Sequence, residues 1–224
     1  MKTCSSRFKL CALAIILVPL LAGCFGAAVV GVGAGALIAT DRRIAETYLA
    51  DEGIEIRAGN RVSEKFGSQT HVNFTSYNRM LLLTGEVADA AAKAEVEKLV
   101  TGVPNVKSVT NELQLAGASS LSGRGNDMYI TSKVKARFID ANKFSANHVK
   151  VVTEWGTVYL LGLVTQREAD DAVEIARTTG GVLKVVRVFE IIGGEEARRL
   201  DMRPAENNAP AQAPAPTPVP APAK

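Results

Sequence analysis

The sequence predicts an α+β protein of two small domains in tandem, each with the element order αββαβ. The main observation is an internal repeat, in which residues 71–87 align with residues 148–164 at a constant offset of 77. Apolar residues before each segment recur at the helical period, whereas the segments themselves are rich in β-forming residues. One repeat spans about 75 residues, and two copies fall short of the three that a solenoid needs, so two separate domains are expected.

Each element of the first copy has its own signal. Apolar residues at every fourth position from Ile54 to Phe66 predict a helix, and the pair Asn78-Arg79 between two β-rich runs predicts a hairpin. An alanine-rich stretch that ends at Gly102 predicts a second helix. We expect strands at Val72–Tyr77 and Met80–Val87, a second helix at Ala88–Thr101 and an alternating last strand at Val106–Leu115.

The second copy repeats this order, with a helix at 127–140, a hairpin turning at Trp155-Gly156, a helix at 165–179 and a strand at 182–192. Two helices on one face of a three-stranded sheet bury the apolar stripes most simply. A right-handed crossover sets the last strand parallel to one hairpin strand, so each sheet is expected to be mixed. Because a domain of this size buries little surface, we expect the two domains to lean on each other.

The beginning of the chain predicts a lipid anchor. Three basic residues precede an uncharged apolar stretch, and the quartet Leu21-Ala22-Gly23-Cys24 follows it, as in a secretory signal peptide. The quartet resembles the lipobox of bacterial lipoproteins, which implies cleavage before Cys24 and lipid attachment to it. An ordinary signal peptide and an uncleaved span are the alternatives, since residues 10–40 carry no charge. Several acyl chains would hold the protein without a span, because each buried CH2 contributes about 0.8 kcal/mol.

The residue after Cys24 bears on which membrane is expected. In enterobacterial lipoproteins an aspartate at this position signals retention in the inner membrane, and Phe25 stands there in this sequence. The expected location is therefore the outer membrane, with the protein lipid-anchored and facing the periplasm. The Gly-rich stretch 31–35 does not predict a nucleotide site, because no strand precedes it and no βαβ unit follows it. We interpret it as part of a tether, either a pliant leash or a segment lying on the membrane.

Loss of residues 1–23 changes what the composition implies. The chain has 26 Lys and Arg and 23 Asp and Glu, but the predicted signal peptide holds three basic residues and no acidic one, so the remainder is balanced. A balanced chain offers no general electrostatic attraction for nucleic acid. Two of the three cysteines leave with the signal peptide, so Cys24 has no partner for an internal disulfide.

No motif predicts catalysis, a metal or a cofactor. His71 and His148 are the only histidines and occupy equivalent positions, yet each stands without a second His or Cys at ligand spacing. Inherited residues at a strand start explain them better than a metal or catalytic site. The sequence contains no nucleophile elbow and no phosphate-binding loop. We therefore expect no enzyme activity.

The repeat resembles a known domain family. The αββαβ order, together with hairpins that end in Gly85 and Gly162, resembles the BON domain, and we interpret these two glycines as structural turn residues. A lipobox followed by two such domains resembles the dual-BON outer-membrane lipoproteins. The resemblance implies a non-enzymatic protein that supports envelope integrity and binds anionic phospholipid, such as phosphatidylglycerol, through its second domain.

Helix 127–140 supports the same site from its own residues. With Ile130, Val134 and Phe138 facing the core, the opposite side collects aromatic and small apolar residues flanked by lysines, and no acidic residue lies between Met128 and Ile139. Interfacial helices have this composition, because lysine stems reach phosphates while apolar side chains meet the acyl boundary. The alternative is an ordinary solvated helix. The candidate phospholipid-binding residues are Tyr129, Lys133, Lys135, Ala136, Arg137 and Ile139.

The resulting organisation runs along the chain as follows: a signal peptide at 1–23, a lipidated Gly-rich tether at 24–43, a first domain at 44–116, a linker at 117–125, a second domain at 126–193, and a charged, then Pro/Ala-rich disordered tail at 194–224. The tail predicts an extended polyproline II arm, which is either a partner-binding arm or simply solvated. A second function class also fits the sequence, namely a protein-interaction scaffold for an outer-membrane assembly machine, with lipid contact incidental.

Overall fold

The computed structural model describes residues 41–67, 70–117 and 120–203. The predicted signal peptide, Cys24, the Gly-rich tether up to residue 40 and the Pro/Ala-rich tail lie outside the described residues. Within them the chain is α+β, with two αββαβ repeats and a mixed sheet of three strand positions in each. The predicted fold class is confirmed.

In the first domain the hairpin and the last strand form one sheet. Its elements are α1 (Ala45–Phe66), β1 (His71–Tyr77), β2 (Met80–Val87), α2 (Ala90–Thr101), β3 (Ser108–Asn111) and β4 (Gln114–Leu115). β1 is antiparallel to β2, and β3 and β4 both pair with β2 in parallel. The predicted single last strand is broken, because the Leu113 amide donates to Asn111 Oδ1 over 3.2 Å and the Leu113 side chain is buried in the core.

The second domain repeats this arrangement without the break. Its elements are α3 (Leu121–Ala141), a single turn of 3-10 helix (Ala146–His148), β5 (Lys150–Glu154), β6 (Thr157–Val164), α4 (Gln166–Arg177), β7 (Lys184–Ile191) and a further helix α5 (Gly194–Asp201). β5 is antiparallel and β7 parallel to β6. The start of the predicted helix 127–140 is wrong, because α3 begins at Leu121, inside the predicted linker 117–125, where the Ser120 hydroxyl caps it by accepting from the Gly123 amide over 3.1 Å.

Both hairpins turn where the sequence predicts. Asn78 and Arg79 have φ of 51° and 66°, and Trp155 and Gly156 have φ of 52° and 69°. Positive φ at both central residues is what a two-residue type I′ turn requires, and this turn matches the twist of the flanking strands. The first copy accepts the strain of an arginine in the left-handed region where the second copy has glycine.

The interpretation of Gly85 and Gly162 as turn residues is wrong. Both lie within the second hairpin strand, in β2 and β6. A Cβ on Gly85 would lie 2.1 Å from the His71 carbonyl oxygen, and one on Gly162 would lie 2.3 Å from the carbonyl oxygen of His148. These glycines are required because the neighbouring strand start approaches the backbone closely at both positions.

Each domain buries one face of its sheet under its two helices. In the first domain Ile54, Ala58 and Val62 pack on Leu81 and Leu83. The second domain has the equivalent cluster, built of the following residues: Ile130, Val134, Phe138, Val158, Leu160 and Ile175. The predicted helical stripes are therefore the core faces of both helices.

The two domains pack through the sheet faces that the helices leave uncovered. Alternate residues of the same strands point there and form one apolar cluster that joins the domains: Tyr77, Leu82, Tyr159, Leu161, Leu163 and Val188. Polar contacts frame it, including Trp155 Nε1 donating to Glu86 Oε1 over 2.7 Å and Asn73 Nδ2 donating to Glu154 Oε2 over 2.9 Å. Burial raises the pKa of Tyr159 to about 12. The result is a four-layer arrangement of helices, sheet, sheet and helices.

An arginine of the predicted tether, Arg42, is hydrogen-bonded to the second domain. The side chain of Arg42 is 2% exposed and donates from Nη1 to the Leu163 carbonyl and to Glu168 Oε2, over 2.8 Å and 2.7 Å. Its Nε donates to Asp201 Oδ1 over 2.7 Å, so α5 belongs to the folded unit. The assignment of residues 194–201 to a disordered tail is therefore wrong. Burial opposes ionisation of Glu168, but nearby His148 and Arg42 hold the pKa of this carboxyl well below its usual range.

Candidate phospholipid-binding surface

Helix α3 has one buried face and one exposed apolar face. Ile130, Val134 and Phe138 are fully buried, whereas Met128, Tyr129 and Ile139 are 72%, 63% and 66% exposed. Exposed large apolar residues scattered singly are ordinary on a protein surface, but here they share one side of one helix. We call this side the α3 outer face and define it by the following residues: Met128, Tyr129, Ser132, Lys135, Ala136 and Ile139.

Two lysines flank the α3 outer face in different ways. The Lys133 ammonium lies 4.5 Å from the centroid of the Tyr129 ring, a cation–π distance, and also donates to the carbonyl oxygen of Gly180. Lys135 is exposed and forms no ion pair with any residue in the part of the chain that the structure describes. Two acidic residues flank the face: Asp127 at its start is buried, and Asp140 in the last helical turn is exposed. Between them, residues 128–139 contain no acidic side chain, so this stretch is apolar and cationic.

Arg137 departs from the predicted set. Its Nη1 donates to the Ile175 carbonyl over 2.9 Å and to Thr179 Oγ1 over 2.8 Å, which ties α3 to α4 inside the domain. In the first domain Arg61 makes the equivalent bond to the Leu99 carbonyl over 3.2 Å. Because both copies keep this contact, Arg137 joins two helices of its domain, and its contact with phospholipid stays a prediction.

The first-domain helix has a different outer surface. At the α1 positions equivalent to Met128, Tyr129, Lys135, Ala136 and Ile139 the sequence has, in order, Glu52, Gly53, Gly59, Asn60 and Ser63. Leu49 and Ile56 are exposed on α1, but Glu52 and Asn60 are exposed beside them. An acidic and polar surface does not favour anionic lipid, so the candidate site belongs to the second domain alone.

A pair of buried aspartates supports the hairpins, and sequence analysis missed it. Asp127 accepts from the Trp155 and Gly156 amides, each over 2.9 Å, and Asp51 accepts from the Asn78 and Arg79 amides over 2.8 Å and 2.7 Å. The two aspartates occupy equivalent positions of the repeat, at an offset of 76. Identity of a polar residue between otherwise divergent copies is the signal that could have found them.

A cleft of about 430 Å³ lies where the first turns of α3 meet the first domain. Among its lining residues are His71 and Asn73 from the first domain and Asp127, Thr131 and Glu154 from the second. His71 Nδ1 lies 3.0 Å from Glu86 Oε2, and burial raises the pKa of the Glu154 carboxyl. No group of three or more His, Cys, Asp or Glu side chains among residues 41–67, 70–117 and 120–203 has the arrangement of a metal site.

No helix among residues 41–67, 70–117 and 120–203 combines the length and the hydropathy that crossing a bilayer needs.

Comparison with known proteins identifies the domains. The family model described as BON domain matches residues 54–117 and 126–193. The outer membrane lipoprotein DolP of Haemophilus influenzae is 36% identical over 174 residues, which cover 77% of this chain and 90% of that protein.

Two further relatives match shorter parts of this chain. The 21 kDa hemolysin of Actinobacillus pleuropneumoniae is 30% identical over 68% of this chain and 79% of its own length. The osmotically-inducible protein Y of Escherichia coli is 33% identical over 52% of this chain and 59% of its own length. The repeat, the two mixed sheets and these matches together make the chain a member of the BON-domain family, a protein of the DolP type with two BON domains.

Proposed function

We propose that this chain is a lipid-anchored protein of the outer membrane that faces the periplasm, binds anionic phospholipid through the α3 outer face and supports the integrity of the cell envelope. The proposal gives the protein no catalytic role and no cofactor. The relative named an outer membrane lipoprotein supports the location, and the lipobox-like quartet before Cys24 supports the anchor. Acyl chains on Cys24 hold the protein at the membrane, and the face then engages lipid headgroups.

The observation that carries the binding proposal is the composition of the α3 outer face. Three large apolar side chains are each more than 60% exposed on it, next to Lys135, a cation with no partner among the described residues. Full burial of an exposed Met or Ile side chain contributes about 1.5–3 kcal/mol, and Met128 and Ile139 are both mostly exposed. An anionic bilayer surface relieves that exposure and attracts each nearby lysine by about 1 kcal/mol.

The test uses residues 41–224, because the three apolar clusters and the Arg42 contacts all lie within this part. This fragment would be sedimented with phosphatidylcholine vesicles that contain or lack phosphatidylglycerol. We expect binding only to the anionic vesicles. Lys135→Glu should weaken it about tenfold or more, since a charge reversal changes the attraction by about 2 kcal/mol. Lys133→Glu with Lys135→Glu should abolish it.

The matched control is Lys98→Glu, which reverses another exposed lysine near the end of a helix, in the first domain. It should bind as the wild type does. Failure of the wild type to prefer anionic vesicles, or equal loss in Lys98→Glu and Lys135→Glu, would contradict the proposal. Thermal unfolding of each variant verifies that the fold is retained.

A second candidate is a protein-interaction scaffold for an outer-membrane assembly machine. It is favoured by the two exposed apolar residues on α1, Leu49 and Ile56, which lie two turns apart on one side of the helix. Under this alternative the fragment ignores anionic vesicles, and substitution of Leu49 and Ile56 alters envelope integrity while Lys135→Glu does not.

A further inference from the structure

The loop between α4 and β7 carries the most exposed large apolar side chain among the described residues. Leu183 is 82% exposed, although its backbone is well fixed by the Leu183 amide donating to the Gly156 carbonyl over 2.8 Å. A Cβ placed on Gly156 would lie 2.9 Å from Leu183 Cδ1, so the leucine leans over the hairpin turn. The backbone of this residue is therefore fixed while its side chain stays in water.

This loop is continuous with the α3 outer face. Lys133, which lies over the Tyr129 ring, donates to the Gly180 carbonyl, and a Cβ on Gly181 would lie 3.3 Å from Ile130 Cγ1. A path of direct contacts therefore runs from the outer face through Lys133 to the loop and on to Leu183. Half-exposed Trp155 adjoins the same path, beside Gly156.

The charges around the loop match an anionic partner. Residues 178–184 contain no acidic side chain, and Lys184 follows Leu183 directly. Lys184 is exposed and forms no ion pair with another described residue. An apolar tip between cations is the composition of an element that enters the headgroup region of an anionic bilayer.

The first copy provides an internal comparison. The position equivalent to Leu183 is Lys107, whose ammonium lies 3.1 Å from the Glu190 carboxylate of the second domain. That loop therefore places a charged residue at the domain junction, where it pairs with a carboxylate of the other domain. The exposed leucine is a feature of the second domain alone, the same domain that has the apolar helix face.

We propose that the 180–184 loop is a second membrane-contacting element, in which Leu183 enters the interfacial region of an anionic bilayer beside the α3 outer face and Trp155 lies at its edge. This inference rests on the proposed function and deepens it, since it gives the binding surface two elements. Two contacts separated along the surface fix the tilt of the domain on the membrane. With a single helix in contact, the domain could still rotate about the helix axis.

The test follows Trp155, the only tryptophan of the chain, in the full chain reconstituted in vesicles. Brominated phosphatidylglycerol should quench its fluorescence, and brominated phosphatidylcholine in vesicles without anionic lipid should not. Leu183→Ser should shift the docking equilibrium about tenfold toward the unquenched form, because it removes a leucine from the buried contact. Leu115→Ser removes another exposed leucine, in the first domain, and should leave the quenching unchanged.

The outcomes separate this inference from the proposed function. If fragment 41–224 ignores anionic vesicles, both are wrong. If the fragment binds and Lys135→Glu weakens it, while Trp155 is not quenched or Leu183→Ser behaves as the wild type, the helix binds lipid and the loop does not. A loss of quenching equal in Leu183→Ser and Leu115→Ser also overturns the loop proposal. Circular dichroism of each variant verifies the fold.

Discussion

At several positions the two copies keep the same residue because of one close contact with a neighbouring strand or helix. Gly85 and Gly162 exclude a side chain because a carbonyl oxygen of the adjacent strand lies where Cβ would be. Arg61 and Arg137 both tie the first helix of their domain to the second. The repeat alignment reveals that these residues recur, but it cannot tell a turn glycine from a close approach, or a lipid ligand from an internal tie, since both depend on where other strands and helices lie.

Gly162→Ala should destabilise the protein. The new methyl group would meet the His148 carbonyl oxygen at 2.3 Å, and the strand pair can open only by breaking its own hydrogen bonds. We expect a loss of about 3 kcal/mol in the free energy of unfolding, measured by urea denaturation. Gly117→Ala is the control, because nothing lies within 4 Å of its added Cβ, and it should change stability little. A Gly162→Ala midpoint equal to that of the control would show that the strand accommodates the methyl group.

Elements were predicted well where one stretch of chain determines them. The strands β1 and β2 and the two hairpin turns follow from β-forming runs around residues that tolerate positive φ. The break of the last strand at Leu113 and the early start of α3 were missed. Each depends on one hydrogen bond from a backbone amide to a side chain, that of Asn111 or that of Ser120. The α3 outer face was predicted from helical geometry alone, since a helix with a known core side has a defined opposite side.

The β5–β6 hairpin depends on a carboxylate from α3. Asp127 accepts from both turn amides, Trp155 and Gly156, and an asparagine in its place offers one acceptor oxygen and an NH2 group that clashes with the second donor. Asp127→Asn should therefore lower the free energy of unfolding by about 1–3 kcal/mol. It should also change the fluorescence of Trp155, which is the first of the two turn residues.

The control for this substitution is Asp140→Asn, in the exposed last turn of the same helix. Its free energy of unfolding should stay within about 0.5 kcal/mol of the wild type. Equal stability of the two variants in urea would mean that the turn amides find other acceptors, and the assigned role of Asp127 would be wrong.

At the scale of the whole molecule, long-range contacts join three parts of the chain. Strand β2 is apolar on consecutive residues, with Leu81 and Leu83 under the helices and Leu82 against the other domain. Such a continuous apolar run signals burial on both faces, and it makes the domain pairing predictable. The contacts of Arg42 with Glu168 and Asp201 span more than a hundred residues, so no local pattern could indicate them.

The Arg42 and Glu168 pair should make stability depend on pH. The pKa of Glu168 is lowered below the ordinary value of 4.5, so the pair stabilises the fold fully above about pH 4.5 and loses this contribution as pH falls through the lowered pKa. Glu168→Gln should cost about 3 kcal/mol at neutral pH, because it leaves buried Arg42 with one carboxylate. For a protein of this size that lowers Tm by roughly 6–12 °C.

The measurement is Tm of wild type and Glu168→Gln between about pH 3 and about pH 8, where carboxylates titrate. The gap between the two proteins should be widest near neutral pH and narrow below about pH 4.5, since the wild type loses what the variant already lacks. Glu174→Gln breaks an exposed pair with Arg177 and should leave Tm nearly unchanged at every pH. A gap that stays constant down to the lowest pH would mean that the carboxylate charge of Glu168 contributes nothing, and that the tether is held to the second domain by Asp201 and the Leu163 carbonyl instead.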